Sequence, residues 1–194
     1  MELAFETNKS VIVFDFDGVL IESNRVKKQE FFNIWHGEVS LELIVNIVEK
    51  SLDRFETITE IYNQCELPMK KKYSINYYVE AYSERVERSM MEIGLKNGVK
   101  KLLEESNKIL VINSATPNIY LNKILQKLNI FHCFKYILGG DSSKSNNFFF
   151  LKSELSMEFD DMIFIGDMQS DKDVADSLGV EFMPIYSIET NLLR

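Results

Sequence analysis

Five short apolar runs recur along this 194-residue chain, and each is followed by a turn-like or polar stretch. The runs are rich in Val, Ile and Phe and have the length of buried strands. In chain order they are VIVF at 11–14, ILVI at 109–112, YILGG at 136–140, MIFIG at 162–166 and FMPIY at 182–186. Helical patterns separate the later runs, and this alternation predicts a parallel sheet with helices on both faces.

The helical pattern over residues 118–131 predicts a helix with one apolar stripe. The residues of that stripe are Ile119, Ile124, Leu125 and Leu128. A second pattern over 170–180 opens with residues that often cap helices and ends at Gly179. The predicted fold class is therefore α/β, with a Rossmann-like parallel core.

A long segment without any strand-like run separates the first apolar run from the second. A crossover between parallel strands needs only about a dozen residues. The excess has the pattern of four helices, at 25–35, 40–50, 54–65 and 74–93. We therefore predict a helical cap domain at residues 23–94, inserted between two core segments, 1–22 and 95–194.

Composition limits the partners of the protein. The formal net charge of −8 argues against a general nucleic-acid binder or a binder of anionic membranes. No apolar stretch is long enough to span a bilayer, and from the acidic, polar start we expect no signal peptide. Cys65 and Cys133 are in no metal or redox motif, which fits free thiols in a reducing cytoplasm. A cytoplasmic location is expected.

Polar side chains follow four of the five runs, at the point where each strand would end. In chain order they are Asp15 and Asp17, then Ser114 and Thr116, then Lys144, and finally Asp167 and Asp171. Ligands of open parallel sheets bind beyond the carboxyl ends of the strands. Each residue has an ordinary structural explanation, such as a hairpin turn at Asp17-Gly18. Their coincidence at one edge of one sheet favours a functional site.

Phosphoryl transfer fits this set of side chains. A carboxylate such as Asp15 can attack phosphorus and form an aspartyl-phosphate. Because a carboxylate and a phosphate repel each other, a hard cation such as Mg²⁺ is needed between them, with Asp167 as a second carboxylate. Asp171 can hold a metal-bound water. Asp17 can protonate the leaving oxygen and later activate water, while the hydroxyl and the ammonium of the set hold the phosphoryl oxygens.

The sequence resembles the haloacid dehalogenase superfamily, in its branch of helical-capped phosphatases and phosphomutases. The first motif of that family begins D-x-D-G and is matched at 15–20, DFDGVL. The second is an apolar strand that ends in Ser or Thr, matched by Ser114. The third is a lysine, matched by Lys144, with Lys152 as the alternative. The fourth, G-D-x-x-x-D, is matched at 166–171.

The resemblance implies a role for each matched residue. Asp15 would be the nucleophile and a Mg²⁺ ligand. Asp17 would be the acid and base, and its backbone carbonyl would also bind the metal. The phosphate would be held by Ser114, the backbone N–H of Ala115 and Lys144. The remaining metal ligands would be Asp167, directly, and Asp171, more indirectly.

The expected function is that of a Mg²⁺-dependent phosphatase that hydrolyses a small phosphorylated metabolite through an aspartyl-phosphate. Phosphoglycolate and sugar phosphates are the leading substrate classes implied by the resemblance. A dehalogenase of the same superfamily does not need the second acid, so Asp17 favours phosphorus chemistry. Two alternatives stay open: a phosphomutase that acts on a sugar phosphate, and a catalytically idle module that keeps the fold for binding.

Overall fold

The structure is a computed structural model that describes residues 7–35, 37–50, 53–65 and 73–187. The strands are β1 (Val11–Phe14), β2 (Ile109–Asn113), β3 (Tyr136–Leu138), β4 (Met162–Gly166) and β5 (Glu181–Pro184). The helices are α1 (Ser23–Asn33), α2 (Leu41–Val48), α3 (Arg54–Gln64), α4 (Ile75–Met90), α5 (Val99–Glu105), α6 (Asn118–Lys127), α7 (Lys144–Leu155) and α8 (Gln169–Leu178). His36 and most of the basic run at 69–73 lie outside the described residues.

The five strands form one parallel sheet in the order β3-β2-β1-β4-β5, which confirms the predicted α/β, Rossmann-like fold. β1 lies in the centre and all four of its residues are buried. Val11 and Val13 share a hydrophobic cluster with Phe148 of α7, so one face of the sheet is covered by that helix. Alternate residues point to the opposite face, where the ring of Phe14 contacts Phe134 edge-on.

The order of the strands explains why polar residues at their ends can meet. The chain leaves β1 toward β2 on one side and reaches β4 on the other side, so the crossovers diverge at the carboxyl end of β1. Open parallel sheets bind ligands at such a point. Asp15 and Asp17 follow β1 directly and therefore lie at the centre of this edge.

Two details of the sequence predictions are corrected by the structure. Ile119 is 62% exposed, and the buried residues of α6 are Leu121, Ile124 and Leu125. Ile119 precedes Ile124 by five residues, about 140° around a helix at roughly 100° per residue, so it is on another face. The strands predicted from the apolar runs at 136–140 and 182–186 also extend two residues too far at their C-terminal ends, because β3 ends at Leu138 and β5 ends at Pro184.

Helix α7 was not predicted as a helix. Its apolar residues are consecutive, FFFL at 148–151, and this run hides the helical period. Ser143 caps the helix, since its hydroxyl accepts a hydrogen bond from the backbone N–H of Asn146. Lys144 is consequently the first residue of a helix.

The described residues divide into two compact units, Ser23–Glu92 and the α/β core on either side of it in the sequence. The inserted unit has its own hydrophobic core. Two stacked ring pairs lie in that core, Trp35 on Tyr78 at 4.2 Å and Phe31 on Tyr82 at 4.3 Å. Among the described residues, no helix is long and apolar enough to cross a membrane.

Candidate active site

The hydrogen bonding of the sheet extends one residue beyond β1 and β2, and so it holds the backbones of Asp15 and Ser114 in place. The N–H of Asp15 donates to the carbonyl of Ile165 at 2.8 Å, and the N–H of Ser114 donates to the carbonyl of Leu138 at 2.9 Å. Both residues are buried; the exposed fraction of Asp15 is 5%. Rigid strand ends therefore hold the side chains of both residues.

Three acids come together at this edge, one directly after β1, one directly after β4 and one in the first turn of α8. Asp15, Asp167 and Asp171 each offer one carboxylate oxygen, and these oxygens lie within 4.8 Å of one another. Asp171 is fully buried in the first turn of α8, where its Oδ2 accepts from the backbone N–H of Met168 at 3.2 Å. A Cβ at Gly166 would lie 2.6 Å from the Cβ of Asp171, so only glycine lets β4 and α8 approach this closely.

Lys144 joins two of these acids. Its ammonium lies 2.8 Å from Oδ1 of Asp15 and 2.6 Å from Oδ1 of Asp171, and its side chain is only 16% exposed. The alternative, Lys152, pairs instead with Glu158 and lies over the ring of Phe159. The structure thus places Lys144, and not Lys152, against the candidate nucleophile.

The charges of the site perturb one another. The pKa of Asp15 is raised to about 7, mainly because the carboxyl group is buried. The negative charges of Asp171 and Asp17 raise this pKa further, whereas the ammonium of Lys144 lowers it. Burial alone would lower the pKa of Lys144, but Asp15 and Asp171 outweigh it and raise that pKa. The cluster of Asp15, Asp167 and Asp171 thus holds three carboxyl groups against the one ammonium of Lys144, which contacts two of them, so the site favours a further cation. Oxygen ligands of this kind suit a hard ion.

Asp17 lies in the turn that follows β1, beside Gly18, whose φ is 74°. A hairpin at this turn is excluded because both neighbours of β1 pair with it in parallel. The carboxylate of Asp17 accepts a hydrogen bond of 2.6 Å from the hydroxyl of Thr116. Thr116, which follows β2, thus holds the carboxylate of Asp17 in place.

The loop after β2 carries the candidate phosphate-binding residues. The hydroxyl of Ser114 accepts from the backbone N–H of Thr116 at 3.1 Å, and Ala115 is exposed at the surface of this loop. A Cβ at Gly140 would lie 2.2 Å from the carbonyl oxygen of Ala115. Glycine at that position therefore permits the loop after β3 to support the loop after β2.

The sequence analysis did not identify the buried pair of Asn113 and Asn147. Asn113, the last residue of β2, donates to the backbone carbonyl of Lys144 at 3.0 Å. Asn147 in turn donates to the side-chain oxygen of Asn113 at 2.9 Å. The pair fastens the start of α7 to the end of β2 and so supports Lys144. The signal in the sequence was an asparagine at the end of an apolar strand, directly before Ser114.

Comparison with known proteins places the chain in a family. The family model described as haloacid dehalogenase-like hydrolase matches residues 12–185, most of the chain. No curated protein matches the sequence.

Several solved structures share the fold. A predicted phosphoglycolate phosphatase from Haemophilus somnus 129PT has a TM-score of 0.72 and 21% identity, over 91% of this chain and 84% of that chain. A candidate beta-phosphoglucomutase from Thermotoga maritima has a TM-score of 0.76 and 16% identity, over 94% and 98%. CbbY from Rhodobacter sphaeroides, in complex with phosphate, has a TM-score of 0.68 and 17% identity, over 91% and 85%.

Proposed function

The chain belongs to the haloacid dehalogenase-like hydrolases, and on this premise we propose that it is a Mg²⁺-dependent phosphatase that acts on a small phosphorylated metabolite. One observation carries the proposal. A buried carboxylate, Asp15, is ion-paired with Lys144 inside a cluster of three acids, and a second acid follows it by two residues. Candidates for the nucleophile, its charge partner, the cation ligands and the proton donor therefore lie at one edge of the sheet.

In the proposed reaction, an oxygen of Asp15 attacks phosphorus and forms an aspartyl-phosphate, while the bond from phosphorus to the leaving oxygen breaks. Asp17 gives its proton to that leaving oxygen. In the second half, Asp17 takes a proton from a water molecule, which attacks phosphorus and breaks the bond to Asp15. The carboxylate of Asp15 and the acid form of Asp17 are thereby restored, and inorganic phosphate leaves.

Ser114, the N–H of Ala115 and Lys144 would hold the phosphoryl oxygens during both steps. Lys144 would also position the nucleophile, since its ammonium is ion-paired with the carboxylate of Asp15 before the reaction begins. Donors that are already in place need no reorganisation when charge develops.

The acid cluster fits a hard divalent cation. Its ligands would be the carboxylates of Asp15 and Asp167 and the backbone carbonyl of Asp17, with Asp171 more indirect. When bound, Mg²⁺ would supply the positive charge that lets a phosphate approach Asp15. The complex of CbbY with phosphate agrees with a phosphorylated ligand at this fold.

A phosphomutase is the second candidate function, since it would use the same residues. The likeness to the candidate beta-phosphoglucomutase over nearly the full length of both chains supports this alternative. The two reactions differ in their products. A phosphatase releases inorganic phosphate, whereas a mutase returns an isomeric sugar phosphate without net release.

Removal of the metal tests the proposed function. A panel of phosphorylated metabolites, including phosphoglycolate and sugar phosphates, is assayed for phosphate release with Mg²⁺ and with EDTA. We expect turnover of at least one substrate with Mg²⁺, loss of that turnover in EDTA, and recovery when Mg²⁺ is restored, because the carboxylates of the site repel the substrate. Undiminished phosphate release in EDTA would refute the metal requirement.

The inserted helical unit gives a further prediction. It interrupts the chain directly after the turn that contains Asp17, and we propose that its exposed side chains help to select the substrate. Replacement of Leu41, Phe55 and Tyr77, which are exposed on its helices, by alanine should change the ranking of metabolite substrates. Activity on p-nitrophenyl phosphate, whose aryl group lacks the hydroxyl and carboxylate groups of the metabolites, should change much less. Equal losses on every substrate would argue against a role in selection.

A further inference from the structure

Thr116 makes a hydrogen bond through each of its three polar groups, the backbone N–H, the backbone carbonyl and the side-chain hydroxyl. Its N–H donates to the hydroxyl of Ser114 at 3.1 Å, and its carbonyl accepts from the N–H of Gly140 at 2.9 Å. Its hydroxyl donates to Oδ2 of Asp17 at 2.6 Å, across 99 positions of the sequence. The residue thus connects the ends of β1, β2 and β3.

The support behind Thr116 is unusually close. A Cβ at Gly139 would lie 2.5 Å from the carbonyl oxygen of Thr116, and a Cβ at Gly140 would lie 2.2 Å from that of Ala115. Only a pair of glycines allows the loop after β3 to press against the loop after β2 in this way. A β-branched side chain also has few χ1 rotamers. The direction of the Thr116 hydroxyl is therefore set by the fold.

A general acid must present its proton in one direction, because displacement by about 1 Å can cost roughly 100-fold in rate. The bond from Thr116 restricts rotation of the carboxyl group of Asp17. We propose that Thr116 is a positioning residue that aims Asp17 at the leaving oxygen. This inference rests on the proposed function. The proton passes from Asp17 to the leaving oxygen and is later recovered from water; Thr116 gives up no proton.

The test compares Thr116→Val with wild type on two kinds of substrate, with rapid mixing to separate the steps. Alkyl phosphates need a proton on the leaving oxygen, whereas p-nitrophenolate is already a stable anion. For Thr116→Val we expect kcat on the alkyl phosphate to fall roughly 10–100-fold with KM nearly unchanged. With p-nitrophenyl phosphate, the rate of the first step should also fall, but by a factor several times smaller than the fall in kcat on the alkyl phosphate.

Three further variants make the test specific. Thr116→Ser keeps a hydroxyl and should recover most of the alkyl phosphatase activity. Thr116→Val should add little to Asp17→Asn in the double variant, because both act through the same proton transfer. Thr59→Val in α3 is the matched control: its Oγ1 is buried without a hydrogen-bond partner in the described part of the chain, so the ratio of the two activities should stay constant.

Several outcomes would overturn the inference. They are equal losses on both substrates, an effect confined to KM, no recovery with serine, or additive losses in the double variant. An effect confined to KM would instead make Thr116 a substrate contact. Failure of the proposed function itself gives a different result, since the wild type would then release no phosphate or would keep its activity after Asp15→Asn.

Discussion

Asp15→Asn is expected to lower phosphate release by roughly 10⁴-fold or more, because an amide cannot serve as the nucleophile. The change keeps the shape of the side chain, so the sheet and the site should remain folded. Steady-state assays with the best substrate measure the loss, and circular dichroism verifies the fold. A folded variant that retains more than a small fraction of wild-type activity would show that Asp15 is not the nucleophile.

The same variant should be more stable than wild type when no metal is present. The pKa of Asp15 is about 7 in the folded protein against an ordinary value of 3.8, mainly through burial. Between these values the folded state holds a proton that the unfolded state releases, so rising pH removes stability across this window. Above pH 7 the buried charge costs the wild type on the order of a few kcal/mol, which asparagine avoids.

Thermal melting in EDTA at pH 8 and pH 5 measures this effect. The Tm of Asp15→Asn should exceed that of wild type by several °C at pH 8, and the difference should shrink at pH 5. Lys144 keeps Asp171 as a partner in the variant, so no isolated ammonium is created. A variant that melts below wild type at pH 8, or a difference that does not depend on pH, would contradict the electrostatic description of the site.

Asp17→Asn is expected to separate the two halves of the reaction. Formation of the phosphoryl-enzyme from alkyl phosphates should slow by roughly 10²–10⁴-fold, the usual contribution of a general acid. With p-nitrophenyl phosphate the first half should survive better, because nitrophenolate leaves without a proton. Hydrolysis of the aspartyl-phosphate should then lag, since the base that activates water is missing.

For Asp17→Asn with p-nitrophenyl phosphate, we expect a time course with a rapid burst of nitrophenol, followed by a slow phase. The amplitude of the burst should be close to one equivalent of nitrophenol per enzyme. Rapid mixing of variant and wild type with both kinds of substrate provides the measurement. If the variant hydrolyses alkyl phosphates at the wild-type rate, Asp17 is only a turn residue and the assignment of the general acid is wrong.

The apolar runs were sufficient to predict the sheet, because buried parallel strands leave a continuous hydrophobic pattern. They also placed the candidate acids, since residues that follow parallel strands lie at one edge. The runs could not show that α7 begins at Lys144. That start is stabilised by the local cap of Ser143 and by the asparagine pair, Asn113 and Asn147, whose hydrogen bonds are tertiary contacts.

The hydrogen bond between Thr116 and Asp17 was likewise beyond sequence reasoning. It depends on two loops that are far apart in the chain and on the close approach that Gly140 allows. Ile119 shows the converse error. Its apolar character suggested burial, but its phase on α6 leaves it exposed. Periodicity therefore predicted the elements better than the contacts between them.

Detection of a covalent phosphoryl group on Asp15 tests the central claim most directly. The enzyme with Mg²⁺ is mixed with substrate, quenched in acid within its turnover time, digested and analysed by mass spectrometry. We expect the peptide that contains Asp15 to gain one phosphoryl group, and the gain to be larger in Asp17→Asn and absent in Asp15→Asn. Rapid release of phosphate without any phosphorylated Asp15 peptide, in wild type and in Asp17→Asn alike, would contradict the aspartyl-phosphate mechanism.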